Sequence, residues 1–185
     1  MKQNTKIKTL TLIGLMTAVI CIMSPFSIPL PFSPVPITLG FLAIYFALFA
    51  LGMVNGTVSC LIYILLGLVG LPVFSGFSGG AGKLLGPTGG YIIGYIFLAL
   101  IAGFFIEKYA SKWQNWYLCL LGMILGSAVC YLFGTLMLAF QMQLSFYRAL
   151  WLAVIPYIPA DLCKMAIALL VGLPLRRALI RADLV

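Results

Sequence analysis

An all-α integral membrane protein, a bundle of six transmembrane helices with both termini inside (N-in/C-in) and structured outer loops, is the architecture expected of this chain. Three observations lead there. Apolar residues make up 64% of the sequence, and the mean hydropathy is +1.19, far above the roughly 45–50% apolar content of a soluble domain. Only 8% of residues are charged, and nearly all of them lie in loops or at the ends. Apolar runs recur at the ~20-residue length that crosses a bilayer. Residues 1–185 read as a single membrane domain, because no polar segment is long enough to fold alone.

The runs are justified in order. The first is Ile7–Met23; Lys2, Lys6 and Lys8 precede it as in a signal peptide, but no small-x-small cleavage site follows. The second and third, Ile37–Val54 and Thr57–Leu71, are parted by the turn dipeptide Asn55-Gly56, and Gly70 and Pro72 end the third. Gly90–Ile106 and Trp116–Phe140 are the fourth and fifth. The sixth, Pro159–Leu175, begins at a proline suited to the first helical position, since Pro156 breaks anything earlier.

Positive charge sets the orientation. With the N-terminus inside, Lys2, Lys6, Lys8, Lys108, Lys112, Arg176, Arg177 and Arg181 fall on the inner side, against only Lys83 and Arg148 outside. Trp113 and Trp116, beside Lys112, fit an inner interfacial belt. The two longest loops then face outward. Ser24–Pro36 holds five prolines and is stiff and extended; Val73–Gly89 holds six glycines and offers backbone N–H groups with little side-chain bulk.

The remaining charges are the informative ones. Asp161 and Lys164 lie inside an apolar run, where an ionised group costs about 2.5–3.5 kcal/mol on insertion scales and usually faces a cavity or a partner. Three apart, they share one helix face, in the first turns of the sixth helix at the outer end of the bundle. The competing reading is that they only neutralise each other. Tyr91 and Tyr95, four apart, serve equally as packing or ligand-lining residues, and Lys83 reads as a solvated loop lysine.

Several function classes drop out. There is no histidine, so histidine-based metal sites, proton relays and Ser-His-Asp catalysis are excluded; no catalytic residue, metal site or cofactor is expected, and the chain is not an enzyme. The five cysteines are scattered inside apolar runs with no C-x-x-C pair. The net charge of +8 sits beside apolar runs, which is membrane topology rather than a nucleic-acid surface. Gly79-Gly80-Ala81-Gly82-Lys83-Leu84 imitates a P-loop, but Phe77 and Leu84 break the pattern G-x-x-x-x-G-K-[ST] at both ends.

The segments Val35-Pro36-Ile37-Thr38, Gly70-Leu71-Pro72-Val73-Phe74, Leu85-Gly86-Pro87-Thr88-Gly89-Gly90-Tyr91 and Pro159-Ala160-Asp161-Leu162-Cys163-Lys164, in that order along the chain, resemble the BioY family of biotin transporters. One departure is Gly40, where the family pattern implies Gln. The resemblance implies the six-helix substrate-binding subunit (S-component) of an energy-coupling factor (ECF) vitamin importer, in the bacterial cytoplasmic membrane. Such a subunit captures biotin at the outer face and works with a transmembrane coupling protein and two cytoplasmic ATPases. An S-component for another small vitamin, or a self-sufficient small-solute transporter, are the alternatives; the latter needs a polar path across the bundle that the sequence does not offer.

Under that resemblance Asp161 accepts from a ureido N–H, while Lys164 donates to the ureido carbonyl or pairs with the carboxylate; both placements satisfy the ligand. Gly79, Gly80, Gly86, Gly89 and Gly90 are the expected backbone donors, with Val35, Thr88 and Tyr91 completing the ligand-binding set. Gly14 and Ala18 form a small-xxx-small face on the first helix, where S-components carry an alanine-x-x-x-alanine motif against the coupling protein. Gly90/Gly94 and Gly122/Gly126 share the spacing and read as internal packing.

Overall fold

A computed structural model describes residues 2–182 and Leu184, with side chains from Lys6 onward, so the Lys2 side chain lies outside the described residues. In chain order the elements are α1 (Lys2–Met23), β1 (Ser27–Leu30), β2 (Ser33–Thr38), α2 (Gly40–Leu68), α3 (Ala81–Leu84), α4 (Gly89–Tyr109), α5 (Trp116–Gln141), α6 (Phe146–Ala153) and α7 (Ile158–Arg181). Among the described residues, five helical stretches are long and apolar enough to cross a membrane: Lys6–Met23, Gly40–Leu68, Gly89–Tyr109, Trp113–Gln141 and Phe146–Arg181.

The second stretch is two helices rather than one. Gly52 has φ +79° and ψ −169°, a conformation open to glycine. A Cβ placed on Gly56 would lie 3.2 Å from Leu48 Cα and 3.3 Å from the Ala47 carbonyl. Residues eight apart on a continuous helix are separated by about 12 Å, so the chain folds back into a helical hairpin. Glu107 Oε2 accepts from the Met53 N–H at 2.6 Å, capping the start of the second arm. The turn expected at Asn55-Gly56 therefore sits at Gly52. Gly56 instead lies inside the second arm, where its missing side chain lets the two arms touch.

The proline-rich loop also differs from a purely helical protein. It forms an antiparallel β-hairpin in which Ser27 pairs with Thr38, Ile28 with Ile37 and Leu30 with Ser33, with an irregularity between Ile28 and Leu30. Pro29 sits at that irregularity, as expected of a residue with no N–H to give the ladder. Two short helices, α3 and α6, add to the expected elements.

The core is built around the first arm of α2, whose Ile44, Tyr45, Leu48 and Phe49 are fully buried, and around the α4–α5 pair. A Cβ on Gly94 would lie 2.9 Å from Cys130 Cα, one on Gly90 would lie 2.4 Å from the Phe133 carbonyl, and one on Gly126 would lie 3.0 Å from the Leu98 carbonyl. The expected packing role of these small residues is thus what the structure has: backbone meets backbone, which is how helices associate where lipid supplies no hydrophobic contrast. α1 is the exception, with only 17% of its apolar span buried. Ser59 Oγ, donating to the Ile13 carbonyl at 3.3 Å, helps tie it to α2.

Candidate functional site

The starts of α2, α4 and α7 converge at one end of the bundle, and a partly enclosed cavity lies among them. Its lining comes from Phe41 of α2, from Thr88, Tyr91, Ile92 and Tyr95 at the start of α4, and from Asp161 and Lys164 of α7. β2 contributes Val35 to Thr38, the glycine-rich loop Ser75, the turn just after α1 Ser24, and α5 Tyr131. Each of the three helices directs the positive end of its dipole toward this region. Both long loops and the charged pair thus meet at one end of the molecule, as expected from the sequence.

Pro159 occupies the first turn of α7, which places Asp161 and Lys164 one helical turn apart on its inward face. Lys164 Nζ donates to Asp161 Oδ1 at 2.6 Å, and the Tyr131 hydroxyl donates to Asp161 Oδ2. The two charges are 6% and 8% exposed, so the pair is desolvated yet faces the cavity. It is not saturated. Each carboxylate oxygen keeps a lone pair, and the ammonium keeps two of its three N–H donors.

The cavity walls are aromatic and themselves anchored. Tyr91 donates to the Ala153 carbonyl at 3.3 Å, fixing α6 to α4, and Tyr157 donates to the Val35 carbonyl, fixing the start of α7 to the β-hairpin. Phe41 lies edge-on to Tyr95 at 5.6 Å between centroids. Ser24 Oγ is buried without a hydrogen-bond partner among the described residues, an orphan of the kind that a ligand or water normally satisfies. A Cβ on Gly40 would stand 3.0 Å from Tyr95 Oη, 3.3 Å from Thr38 Oγ1 and 3.4 Å from Ser24 Oγ. Position 40 therefore faces this polar corner, and its glycine leaves the corner to those three hydroxyls.

The structure brings five expected residues together at the cavity: Asp161, Lys164, Thr88, Tyr91 and Val35. The five glycines are placed elsewhere, behind the lining. The Gly80 N–H is spent on the Gly67 carbonyl at 2.7 Å, that of Gly86 on Lys83 at 3.4 Å and that of Gly89 on Gly86 at 2.9 Å. Gly79 and Gly89 press against the backbone, where a Cβ would come within 2.3 Å of the Leu71 carbonyl and 1.6 Å of the Leu84 carbonyl. The N–H groups of Gly80, Gly86 and Gly89 thus hold the loop in shape instead of pointing at the cavity. The loop is further pinned where Gly76 N–H meets the Pro25 carbonyl at 2.9 Å and where Phe77 meets Phe26 edge-on at 5.6 Å. Lys83 is half-buried within α3.

Sequence reasoning missed Tyr131, Tyr157, Phe41 and Ser24. Tyr131 had one usable signal, a phenolic hydroxyl in mid-span that needs a partner. With nine tyrosines in the chain, nothing in the sequence singles it out. Gly14 and Ala18 lie exposed on α1, in an open apolar groove shared with Ile62, Leu66 and Leu71.

Comparison with known proteins agrees with this arrangement. The biotin transporter BioY of Thermotoga maritima is 37% identical over 164 residues, covering 89% of this chain and 93% of that protein. The biotin transporter BioY of Lactococcus lactis subsp. cremoris is 37% identical over 180 residues, covering 96% and 95%. A crystal structure of the S-component for biotin from an ECF-type ABC transporter superposes with a TM-score of 0.88 at 37% identity, over 96% of this chain and 95% of that one. The BioY family description matches residues 1–181. With the family description matched over residues 1–181 and relatives 37% identical across nearly the whole chain, the chain belongs to the BioY family.

Proposed function

We propose that this chain is the biotin-binding S-component of an ECF-type importer, a transport subunit rather than an enzyme. The observation that carries the reading is the unsaturated Asp161–Lys164 pair in the wall of an aromatic cavity. Biotin matches it group by group. Its ureido N–H groups need an acceptor and its ureido carbonyl a donor, and Asp161 and Lys164 offer one of each. The paired charges are mutually neutralised, so a neutral ureido ring suits them better than a carboxylate, which the neighbouring Asp161 oxygens repel. The thioether ring and valeryl chain then lie against Phe41, Ile92 and the tyrosines. The carboxylate points toward the loops and the helix N-termini, whose dipoles favour negative charge.

Counting both arms of α2, six segments cross the membrane, with N- and C-termini inside. The orientation rests on the inner excess of Lys and Arg. It puts the cavity at the outer face of a multi-pass protein in the cell membrane. Gly14 and Ala18 on the uncovered α1 form the contact for the transmembrane coupling protein, and two cytoplasmic ATPases supply the energy.

Calorimetric titration of the purified chain with biotin, biotin methyl ester and a vitamin panel tests this reading. Biotin is expected to bind with submicromolar affinity, its methyl ester a few-fold more weakly for loss of the helix-dipole contact, and other vitamins not at all. Binding of another vitamin in preference to biotin overturns the substrate, and loss of the methyl ester overturns the ligand's direction. In sealed right-side-out vesicles external biotin should fill the site; access only from the inside overturns the orientation.

A further inference from the structure

Along the middle of α7 (Ile158–Arg181), beyond the charged pair, lies an open apolar groove walled by Ala166, Leu169, Leu170 and Leu173 together with Trp113 and Trp116. The four α7 residues follow the three- and four-residue spacing of one helix face. Arg177 stands next on that face, four residues beyond Leu173. Its guanidinium lies over the Trp113 ring, 5.2 Å from the centroid, and its Nε is buried with no hydrogen-bond partner among the described residues. The one ion pair among those residues joins Lys164 to Asp161, so no carboxylate neutralises Arg177. Lys112, adjacent to Trp113, and Arg181, one turn beyond Arg177, are exposed and add positive charge nearby.

The groove has a length as well as a polarity. From Ala166 to Arg177 a helix rises about 16 Å, close to half of a ~30 Å hydrocarbon core. That is the depth of one leaflet. Indole rings belong at the boundary between acyl chains and headgroups, and that is where Trp113 and Trp116 put the charged end of the groove. A guanidinium already held over an aromatic ring, with no carboxylate on it, suits the forked recognition of a phosphate.

We infer that this groove binds one anionic phospholipid, its acyl chain along the α7 stripe and its phosphate on Arg177. Lipid tails cover every outward face of such a bundle. What distinguishes this face is a guanidinium set over an indole ring at the end of an apolar groove, at the depth of the headgroup, so that the site selects by charge. With the termini inside, it reads the inner leaflet. A lipid seated there bridges the end of α7 to the Trp113–Asn115 turn that opens α5.

Native mass spectrometry of the detergent-purified full chain, mixed with equimolar phosphatidylglycerol and phosphatidylcholine of identical acyl chains, tests the inference. The parent should retain phosphatidylglycerol about fivefold over phosphatidylcholine. Arg177→Gln should bring the ratio near one, and Arg177→Lys should fall between. A second readout is independent of that variant's fold. In nanodiscs, the Trp151→Phe chain, left with Trp113 and Trp116, should be quenched more by brominated phosphatidylglycerol than by brominated phosphatidylcholine. Equal retention and equal quenching by the two lipids overturn the proposal. So does cross-linking of Leu170→Cys copies to one another without lipid preference, which makes the groove a protein interface.

Discussion

Asp161 and Lys164 illustrate how two costly residues become useful. Burying either ion alone costs several kcal/mol, and each offsets the other at 2.6 Å, with Tyr131 supplying a further bond to the carboxylate. The energetics separate a structural role from a binding role. Lys164→Ala strands a buried carboxylate, so it should lower the melting temperature as well as the affinity. The double variant Asp161→Asn/Lys164→Met removes both charges and should recover most of that stability while still failing to bind. Losing a hydrogen bond to a charged group is worth about 1.5–3 kcal/mol, so Asp161→Asn should weaken biotin binding by at least about tenfold. Calorimetry beside thermal unfolding decides it: parental affinity in the double variant would make the pair purely structural. Both residues were legible as candidates because charge inside an apolar run has few explanations. Tyr131 was not, because a tyrosine in a span has many.

Helix contacts decide where the tyrosines of the cavity stand. A Cβ on Gly134 of α5 would lie 2.3 Å from the Tyr91 ring, so Gly134→Ala must displace Tyr91 and strain its bond to the Ala153 carbonyl. We expect it to weaken biotin binding several-fold or more, without touching any polar ligand contact. Gly82→Ala, where a Cβ meets nothing within 4 Å, is the matched control and should bind as the parent does. A titration in which Gly134→Ala is indistinguishable from Gly82→Ala would mean that Tyr91 does not shape the cavity. The reversal in α2 carries a related lesson. Asn55-Gly56 has the better turn composition, but Gly52 has Glu107 to cap the arm that follows it. A carboxylate some fifty residues away in sequence overrides a local preference. The proline-rich loop is extended, as its composition implies; its pairing into a hairpin depends on a register that spacing alone does not reveal.

Across the bundle, burial is uneven in a way that suits a subunit with a partner. α1 is tied to α2 by few polar bonds and leaves Gly14 and Ala18 exposed in an apolar groove. Replacing either with a bulky residue, for instance Ala18→Trp, should leave biotin affinity unchanged and abolish most ATP-driven uptake in cells that carry the coupling protein and ATPases. Parallel loss of binding would instead indicate a folding defect, and unchanged uptake would remove this face from the coupling interface.

The membrane character of the chain, its apolar runs and the presence of a buried charged pair followed from composition and period, because lipid imposes the same constraint on every crossing segment wherever its neighbours lie. Which groups face the cavity did not follow. Gly86 and Gly89 turned away because their N–H groups found carbonyls within their own loop. Tyr131 and Ser24 turned in because α5 and the end of α1 happen to meet α7 and β2 there. Those are matters of contact between segments far apart in the chain, and only the packed bundle decides them.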